Sequence, residues 1–320
     1  MKKKRLLFSL LISSIAITAI FFTKEIYNVQ AANYIRFNDT KVELEIGHYK
    51  TLRISGTTKK ASWSSSNPKV ATVSSGGKVT ANASGNTTIT ANVAGKKLTC
   101  KVSVYQIYKK ELTLAPGNTY TPTIWGPVRE VKWSSDNKSV ATVSSKGVIT
   151  AKASGKATIT AVVNGTKELT SKVTVVGISQ ESVVLEVGDW YGHLKTLKVE
   201  GTNSKITWTT SDKSVAVVSS KGRVEAKGPG TATITASVGD AKLTCKVKVL
   251  KVNAKEFTLA KGETKELKIY GTTSDITWHS NHESVATVSD NGTVKAVSKG
   301  DAIIMIYVDG RRVNARVTVK

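Results

Sequence analysis

Short stretches of alternating apolar and polar residues recur along the chain from about residue 40 onward. In VELEI, Val42 to Ile46, apolar and charged residues alternate. In TTITANV, Ile89, Ala91 and Val93 fall on one face and threonines on the other. A period of two is typical of a β-strand with one buried face. No apolar pattern with a 3.6-residue period persists after the N-terminal segment, so we predict an all-β protein.

One stretch of sequence occurs four times. WSSDNKSVATVSSKGVITAKASG begins at Trp133, and close copies begin at Trp63, Trp208 and Trp278. These tryptophans are 70, 75 and 70 residues apart, and each is followed by a glycine after 14 and after 22 residues and by an isoleucine after 26. Because no copy needs a gap over this stretch, the sequence predicts four tandem units of about 70–75 residues.

Each unit is predicted to contain seven short strands, separated by turn signals every 8–12 residues. In the first unit these are VELEI, TLRIS, ASW, VATVS, KVTA, TTITANV and KLTCKVSV. The last two strands of the units meet at Ala94-Gly95, Asn164-Gly165, Gly239-Asp240 and Asp309-Gly310. Asn-Gly and Asp-Gly favour a tight hairpin, in which the central residues have positive φ. The pattern therefore predicts four antiparallel β-sandwiches.

The repeated pattern W-S-S-x-N-x-x-V-A-x-V-S-x-x-G-x-V-x-A-x-x-x-G-x-x-x-I-x-A resembles the bacterial immunoglobulin-like domain, group 2. This domain is the repeat module of intimin- and invasin-type surface proteins and of many secreted cell-wall proteins. The resemblance implies immunoglobulin-like sandwiches outside the cell, used for adhesion, for contact with carbohydrate or wall, or for spacing. The chain departs from typical adhesins because we find no dedicated receptor-binding domain after the repeats. It also shows no LPxTG-type tail, so covalent wall anchoring is not expected.

The N-terminal segment is predicted to be an export signal. It has a basic start (MKKKR), an apolar run from Leu6 to Phe22, and small residues that permit cleavage after Ala31. The run of 17 residues is close to the shortest that spans a bilayer, so an uncleaved N-terminal membrane anchor is the alternative. We expect a secreted, envelope-associated protein. The expected parts are a signal peptide over 1–31 and immunoglobulin-like domains over 32–105, 106–176, 177–250 and 251–320.

The chain is strongly basic, with 47 Lys and Arg against 23 Asp and Glu. The four predicted domains carry net charges of +8, +6, +3 and +3 in chain order. Such a charge favours polyanionic partners, which outside a bacterial cell are anionic wall polymers and membrane surfaces. A merely solvated lysine surface is the alternative. Nucleic acid is not expected as a partner, because the chain carries an export signal and lacks a base-stacking face.

Six repeated or equivalent positions are expected to be structural. The tryptophans that start each repeat, Trp63, Trp133, Trp208 and Trp278, are predicted to anchor the cores. Cys100 and Cys245 occupy one position in the first and third units, where the other units have Ser171 and Ala315. Both cysteines share a face with apolar residues, so we expect buried free thiols, with an intermolecular disulfide as the alternative.

Aromatic residues outside the repeat pattern are the candidates for ligand binding. A four-residue insertion in the third unit adds Trp190, Tyr191 and His193, and Trp125 stands where the other units have Ser55, Glu200 and Tyr270. Exposed aromatics stack on sugar rings or anchor protein interfaces. The alternative is a local cap that packs on the next unit.

The sequence offers little for catalysis. The four histidines are His48, His193, His279 and His282, and the one local cluster, HSNHE, aligns with polar loop residues in the other units. We therefore expect no catalytic, cofactor or metal site and no small-molecule substrate. The predicted function is a non-catalytic adhesion or binding module that contacts anionic envelope polymers, surface glycans, or a receptor on a host or neighbouring cell. The alternatives are a passive spacer rod and a carbohydrate-binding accessory to an extracellular enzyme.

Overall fold

The computed structural model describes residues 34–188 and 192–320, and all regular structure in these ranges is β-strand. The expected signal peptide and the aromatic pair Trp190 and Tyr191 lie outside the described residues. Within them, 34 strands form four successive units.

The first two units have similar strand lists. The strands of the first unit are β1 (Arg36–Phe37), β2 (Lys41–Glu45), β3 (Tyr49–Thr51), β4 (Ile54–Ser55), β5 (Ser62–Ser65), β6 (Ala71–Val73), β7 (Lys78–Ala81), β8 (Gly85–Val93) and β9 (Lys96–Ile107). Those of the second unit are β10 (Glu111–Leu114), β11 (Thr119–Tyr120), β12 (Ile124–Trp125), β13 (Val131–Ser135), β14 (Ala141–Val143), β15 (Ile149–Ala151), β16 (Gly155–Val163) and β17 (Lys167–Val175).

The third and fourth units repeat the pattern. The strands of the third unit are β18 (Gly177–Ile178), β19 (Ser182–Glu186), β20 (Leu194–Thr196), β21 (Val199–Glu200), β22 (Thr207–Thr210), β23 (Ala216–Val218), β24 (Arg223–Ala226), β25 (Gly230–Val238) and β26 (Ala241–Val252). Those of the fourth unit are β27 (Glu256–Leu259), β28 (Thr264–Glu266), β29 (Ile269–Tyr270), β30 (Thr277–Ser280), β31 (Ala286–Val288), β32 (Thr293–Ala296), β33 (Gly300–Val308) and β34 (Arg311–Val319).

Each unit packs a large sheet against a small one. The large sheets have the strand orders β2-β9-β8-β5, β10-β17-β16-β13, β19-β26-β25-β22 and β27-β34-β33-β30. The small sheets have the orders β3-β7-β6, β11-β15-β14, β20-β24-β23 and β28-β32-β31. The prediction of an all-β chain of four tandem sandwiches is confirmed.

The pairing differs from the prediction at one edge of each large sheet. There the first long strand runs parallel to the last strand of the unit, as in β2 with β9, where Val42 is opposite Val102. The same parallel pair recurs in the other three units, and the other strand pairs are antiparallel. Alternating patterns are the same for both directions, so the sequence could not reveal this pair.

The segment TLRIS, predicted as one strand, is divided between two pairings. Tyr49–Thr51 pairs with β7 in the small sheet, whereas Ile54–Ser55 pairs with β1. Between them Leu52 is buried at 1% exposure, and its backbone N–H donates to the carbonyl of Gly77 at 2.9 Å. The chain therefore leaves one sheet and joins another while a core side chain fills the crossing.

Consecutive units are joined within or directly after a strand. Strand β9 pairs with β8 through Val104 and then, at Gln106–Ile107, with β12 of the second unit. Strand β26 makes the same transition to β29 of the fourth unit. Between the second and third units, only Val176 separates β17 from β18.

Each junction buries at least one linker side chain in the unit that follows. Tyr105, Val176 and Leu250 are at most 1% exposed and lie in apolar clusters with residues of the second, third and fourth unit, respectively. These clusters extend the main core of each following unit toward the preceding one. The sequence between neighbouring units is thus part of a core and not a free linker.

Candidate binding surfaces

The four repeated tryptophans pack over a glycine in the same turn of each unit. Trp278 is 9% exposed, and the other three are half-buried against their cores. Gly77 has a φ of 80°, and a Cβ built on it would lie 2.9 Å from Cζ2 of Trp63. The glycines 14 residues after the other three tryptophans have the same relation to their rings. The structure thus packs these tryptophans against the cores, where each covers a glycine in a left-handed turn.

The two cysteines are fully buried free thiols in the described structure. Cys100 lies opposite Ile89, and Cys245 lies opposite Ile234. In the second and fourth units the position of the cysteine is taken by Ser171 and Ala315, each of which also lies opposite an isoleucine. Burial raises the pKa of each thiol to about 11. The thiols are therefore protonated at neutral pH and poorly reactive.

Trp125 is half of an exposed aromatic pair. Its indole ring lies 5.7 Å from the ring of Tyr108, centroid to centroid, at an angle of 46°. Trp125 is 45% and Tyr108 47% exposed. Strand β12 places Trp125 opposite Gln106, and the N–H of Tyr108 donates to the carbonyl of Thr123 at 2.8 Å. The two rings therefore sit diagonally across one antiparallel pair.

Sequence reasoning missed Tyr108, because the pair forms between the end of one unit and the third strand of the next. The signal that could have found it is the unbroken run from KLTCKVSV into YQIY, which carries β9 past the unit boundary. Two aromatics on adjacent strands then fall on the same face.

The other predicted ligand-binding residues lie elsewhere. Trp190 and Tyr191 are outside the described residues, so their role stays a prediction. His193 is half-buried just before β20 of the third unit, and its carbonyl accepts a hydrogen bond from the N–H of Ala226 at 2.8 Å. Trp125 lies in β12 of the second unit, whereas His193 lies just before β20 of the third.

The cluster HSNHE is only partly a loop. His279 lies in β30 with its side chain exposed, and its ring meets the ring of Tyr307 edge-on at 5.7 Å. His282 lies in the following turn, where its carbonyl accepts the N–H of Val285 at 3.0 Å. Across residues 34–188 and 192–320, no group of three or more His, Cys, Asp or Glu side chains is placed to hold a metal ion.

The tip of the last hairpin in a unit contacts the unit before it. In the second unit, Nδ2 of Asn164 donates to Oη of Tyr105 at 3.0 Å, and Thr166 donates to Glu43 at 2.6 Å. In the third unit, Asp240 lies 3.0 Å from Nζ of Lys109. These contacts fix the hairpin tip of each unit against its predecessor.

The hairpin tip of the fourth unit combines one contact to the third unit, through Lys248, with two contacts inside its own unit. Asp309 accepts hydrogen bonds of 2.7 Å from Lys248, Thr272 and Ser274. The hydrogen bond from Lys248 is the main reason that the pKa of Asp309 is lowered to about 2. Nearby, Glu186 is 1% exposed and pairs with Lys255 across the junction.

The first unit exposes a basic surface that is not balanced by acidic partners. Its three carboxylates, Asp39, Glu43 and Glu45, each pair with a lysine at 2.7–3.4 Å. Nine exposed cations of this unit form no ion pair with any residue that the structure describes. They are Arg36, Arg53, Lys59, Lys60, Lys69, Lys78, Lys96, Lys97 and Lys101.

A polar cleft of about 1030 Å³ lies where the first and second units meet. Lys41, Glu43 and Lys101 line it on one side, and Arg129 and Glu130 on the other. Its charges are mixed, because Glu43 and Glu130 lie among its cations. No helix within 34–188 or 192–320 has the length and apolar character needed to cross a membrane.

Two curated relatives match parts of the chain. An uncharacterized protein of Clostridium acetobutylicum is 31% identical over 132 residues, which are 37% of this chain and 14% of that protein. Ice-binding protein 1 of Shewanella frigidimarina is 27% identical over 219 residues, which are 58% of this chain and 25% of that protein. The chain therefore spans a quarter or less of each relative.

Surface layer protein SbsC and invasin are among the solved structures that the chain matches. Surface layer protein SbsC, domains 1–6, is 18% identical and matches 91% of this chain and 55% of that chain, with a TM-score of 0.20. Invasin, a bacterial integrin-binding protein, is 14% identical, and the match covers 82% of this chain and 72% of that chain, with a TM-score of 0.27. At these values the similarity carries no argument about function.

Each of the four repeats matches one family model. The family model for the bacterial Ig-like domain (group 2) matches residues 31–102, 105–173, 172–249 and 246–319, which together cover nearly all of the chain. Each match contains one of the four tryptophans and the sandwich built around it. The chain therefore belongs to the bacterial Ig-like domain (group 2) family.

Proposed function

We propose that this chain is an exported, non-catalytic binding module of the bacterial cell surface. Its basic surface holds it on the anionic polymers and headgroups of the envelope. The observation that supports this proposal is the charge distribution of the first unit, where every carboxylate is paired and nine exposed cations have no ion-pair partner among the described residues.

The physical basis is long-range attraction. The unit carries a net charge of +8 over residues 32–105, from eleven basic and three acidic residues. A surface of one sign concentrates polyanions near it, and salt weakens this attraction over a Debye length of about 8 Å at physiological ionic strength. The fourth unit, with eleven basic and eight acidic residues, has a net charge of only +3.

The test compares two variants of equal net charge. In residues 32–320, one variant replaces Lys59, Lys60, Lys96 and Lys97 with Gln. The matched variant replaces four exposed lysines of the third unit, Lys205, Lys213, Lys242 and Lys246. Each is mixed with purified bacterial walls and with anionic or neutral phospholipid vesicles across a salt series, and the bound fraction is measured.

The first variant should lose more binding than the second, and all binding should fall as salt rises. Equal losses would mean that net charge, and not the first unit, governs retention. Binding that persists at about 1 M salt, where the Debye length is about 3 Å, would contradict the electrostatic proposal. The use of walls and vesicles side by side separates the two sources of anionic groups.

A second candidate function is glycan binding at Trp125 and Tyr108. Two exposed rings 5.7 Å apart offer a surface on which a sugar ring can stack. On a glycan array, Trp125→Ala should lose binding, whereas Tyr270→Ala should not. Tyr270 occupies the same strand position in the fourth unit and is 46% exposed. A chain that binds neither glycans nor envelope polymers would instead be a passive spacer.

A further inference from the structure

The outward face of the large sheet is nearly the same in three units and different in the fourth. Its middle row consists of three residues, each opposite the next on adjacent strands. In the first three units this row contains only hydroxyl side chains: Ser64, Thr90 and Thr99; Ser134, Thr160 and Thr170; Thr209, Thr235 and Thr244. In the fourth unit it is His279, Met305 and Asn314.

The central strand shows the same change. Ile303, Met305 and Tyr307 alternate with buried residues along β33 and therefore point outward. The equivalent triplets in the other units are Thr88, Thr90 and Asn92; Thr158, Thr160 and Val162; and Thr233, Thr235 and Ser237. The fourth unit has thus replaced a polar column with a continuous apolar and aromatic one.

The side chains that the fourth unit has at these positions form one cluster. The ring of Tyr307, which is 42% exposed, is met edge-on by His279 at 5.7 Å. Its hydroxyl donates to Sδ of Met305 at 3.9 Å. Tyrosine, methionine and arginine are enriched in protein interfaces, whereas lysine and serine are depleted. The fourth unit therefore has the composition of a contact surface where the other units have that of a solvated one.

Charges flank this cluster at its two ends, and Arg316, which is also exposed, lies opposite Ile303. Exposed Arg312 lies opposite Tyr307 at the hairpin end, and Asp301 lies at the far end of the same strand, opposite Thr318. Six residues at about 3.3 Å each place these two charges about 20 Å apart. Within the described residues neither of them forms an ion pair.

We propose that this face, Ile303, Met305 and Tyr307 with His279, Arg312 and Asp301, is the contact surface for a second copy of the chain. In a two-fold arrangement each patch meets itself, and the two ends of one face lie against the opposite ends of the other. Arg312 of one copy then approaches Asp301 of its partner, while the apolar columns pack together. The low net charge of this unit, +3, makes repulsion between copies smaller here than at the first unit.

The proposal is tested by the oligomeric state of residues 32–320 under reducing conditions. Sedimentation is followed from about 1 to about 300 µM, the range in which weak dimers are detected. The triple variant Ile303→Thr, Met305→Thr and Tyr307→Ser introduces the residues that the third unit already has at these positions. The matched control is Val162→Ser, which removes the apolar residue at the position of Tyr307 in the second unit.

The wild-type chain and the Val162→Ser variant should dimerise with the same dissociation constant. The triple variant should raise that constant at least ten-fold without a change in far-ultraviolet circular dichroism. Arg312→Asp should weaken the dimer, and Arg312→Asp combined with Asp301→Arg should restore it, because reversing both charges preserves the pairing between copies.

Two results would overturn the proposal. One is a wild-type chain that remains monomeric over the whole range, which would leave the face to a partner of different chemistry. The other is a dimer that the triple variant does not weaken, which would place the contact on another surface. Neither result bears on wall binding, which the lysine variants measure separately.

Discussion

At the scale of single residues, the glycine beneath each tryptophan is the most constrained position. Gly77 has a φ of 80°, a conformation that non-glycine residues adopt at a cost of about 1–3 kcal/mol. A Cβ there would also collide with the carbonyl of Leu52 and approach the Trp63 ring to 2.9 Å. We expect Gly77→Ala to destabilise the first unit by at least this conformational cost. Hydrogen exchange over residues 78–104 would measure the loss of protection.

The neighbouring residue provides the control. Gly76 is not in the left-handed region, and the nearest atom to a Cβ built on it is the Ser74 hydroxyl oxygen at 3.8 Å. Gly76→Ala should therefore leave exchange nearly unchanged. Equal effects of the two substitutions would show that loss of chain flexibility, and not the turn geometry, is responsible.

The buried thiols predict a dependence of stability on alkaline pH. The pKa of Cys100 and of Cys245 is raised by burial from 9.0 to about 11. Since the unfolded chain releases these protons first, stability is complete below about pH 9 and falls as the pH rises toward about 11. The loss per thiol is at most about 1.4 kcal/mol for each pH unit.

The measurement compares thermal unfolding of the wild-type chain with that of Cys100→Ala/Cys245→Ala at pH 8 and pH 10. Alanine already occupies this position in the fourth unit as Ala315. The wild type should lose more stability than the variant between the two pH values. Tyrosines and lysines titrate in the same window in both proteins, so parallel losses would assign the effect to them.

At this scale the sequence predicted which residues recur at each place in the repeat, but not what surrounds their side chains. The fixed spacing from tryptophan to glycine marks a contact, but it does not show that the indole covers a turn and remains half-buried. The spacing also could not place Tyr108 beside Trp125, because that contact depends on which strand of the next unit lies against β9.

At the scale of elements, the hairpin tip of the fourth unit holds the junction with the third. Asp309 accepts hydrogen bonds from Lys248, Thr272 and Ser274, and its pKa is lowered to about 2. Only Lys248 belongs to the third unit, so the carboxylate stabilises both the junction and the Thr272–Ser274 loop of its own unit above pH 3.8. This contribution is lost as the pH falls toward about 2. Asp309→Asn should reduce stability at pH 7 by about 1–2 kcal/mol, since the charged acceptor is lost.

Denaturant unfolding at pH 7 and at pH 2.5 tests this prediction. The difference between Asp309→Asn and wild type should shrink at the lower pH, where the carboxylate is increasingly protonated. Asp275→Asn, at an exposed carboxylate that follows Ser274, serves as the control. A constant difference at both pH values would indicate that the carboxylate charge contributes nothing to the junction.

An ion pair with a largely buried carboxylate marks two of the three junctions. Glu186 is 1% exposed and pairs with Lys255, and Glu45 pairs with Lys110 at 2.7 Å between the first and second units. The second unit has Ala115 at the same position. Lys255→Met should destabilise the third junction by about 2 kcal/mol, because a buried carboxylate loses its nearest cation.

The double variant Glu186→Ala/Lys255→Met should recover most of that loss, because the buried carboxylate and its nearest cation are both removed, and only the partly exposed Arg311, 3.9 Å from Glu186, keeps its charge. A double-mutant cycle on chemical unfolding measures the coupling. Strictly additive effects would show that the two side chains do not interact.

Alternation along the strands predicted most of these elements, but the parallel edge and the crossing at Leu52 depend on long-range pairing that a local pattern does not contain.

At the scale of the whole molecule, the repeat predicted four units, and the structure adds how they share residues. Val176 is fully buried with Ala236 and Val238 of the third unit, and Ile178 pairs with Val199. In the same way, Val252 lies at the end of β26 and packs in the core of the fourth unit, which follows it. The core of a unit therefore begins in the strand that enters it.

This arrangement predicts which fragment of the third unit folds alone. Residues 175–250 should give a β-type spectrum and a cooperative thermal transition. Residues 179–250, which lack Val176 and Ile178, should be less stable by about 3 kcal/mol, from the burial of two apolar side chains. Residues 175–252 should match 175–250, because Val252 has no core to join. A disordered spectrum for 175–250 would contradict one domain per unit, and equal stability of 179–250 would assign Val176 to the preceding unit.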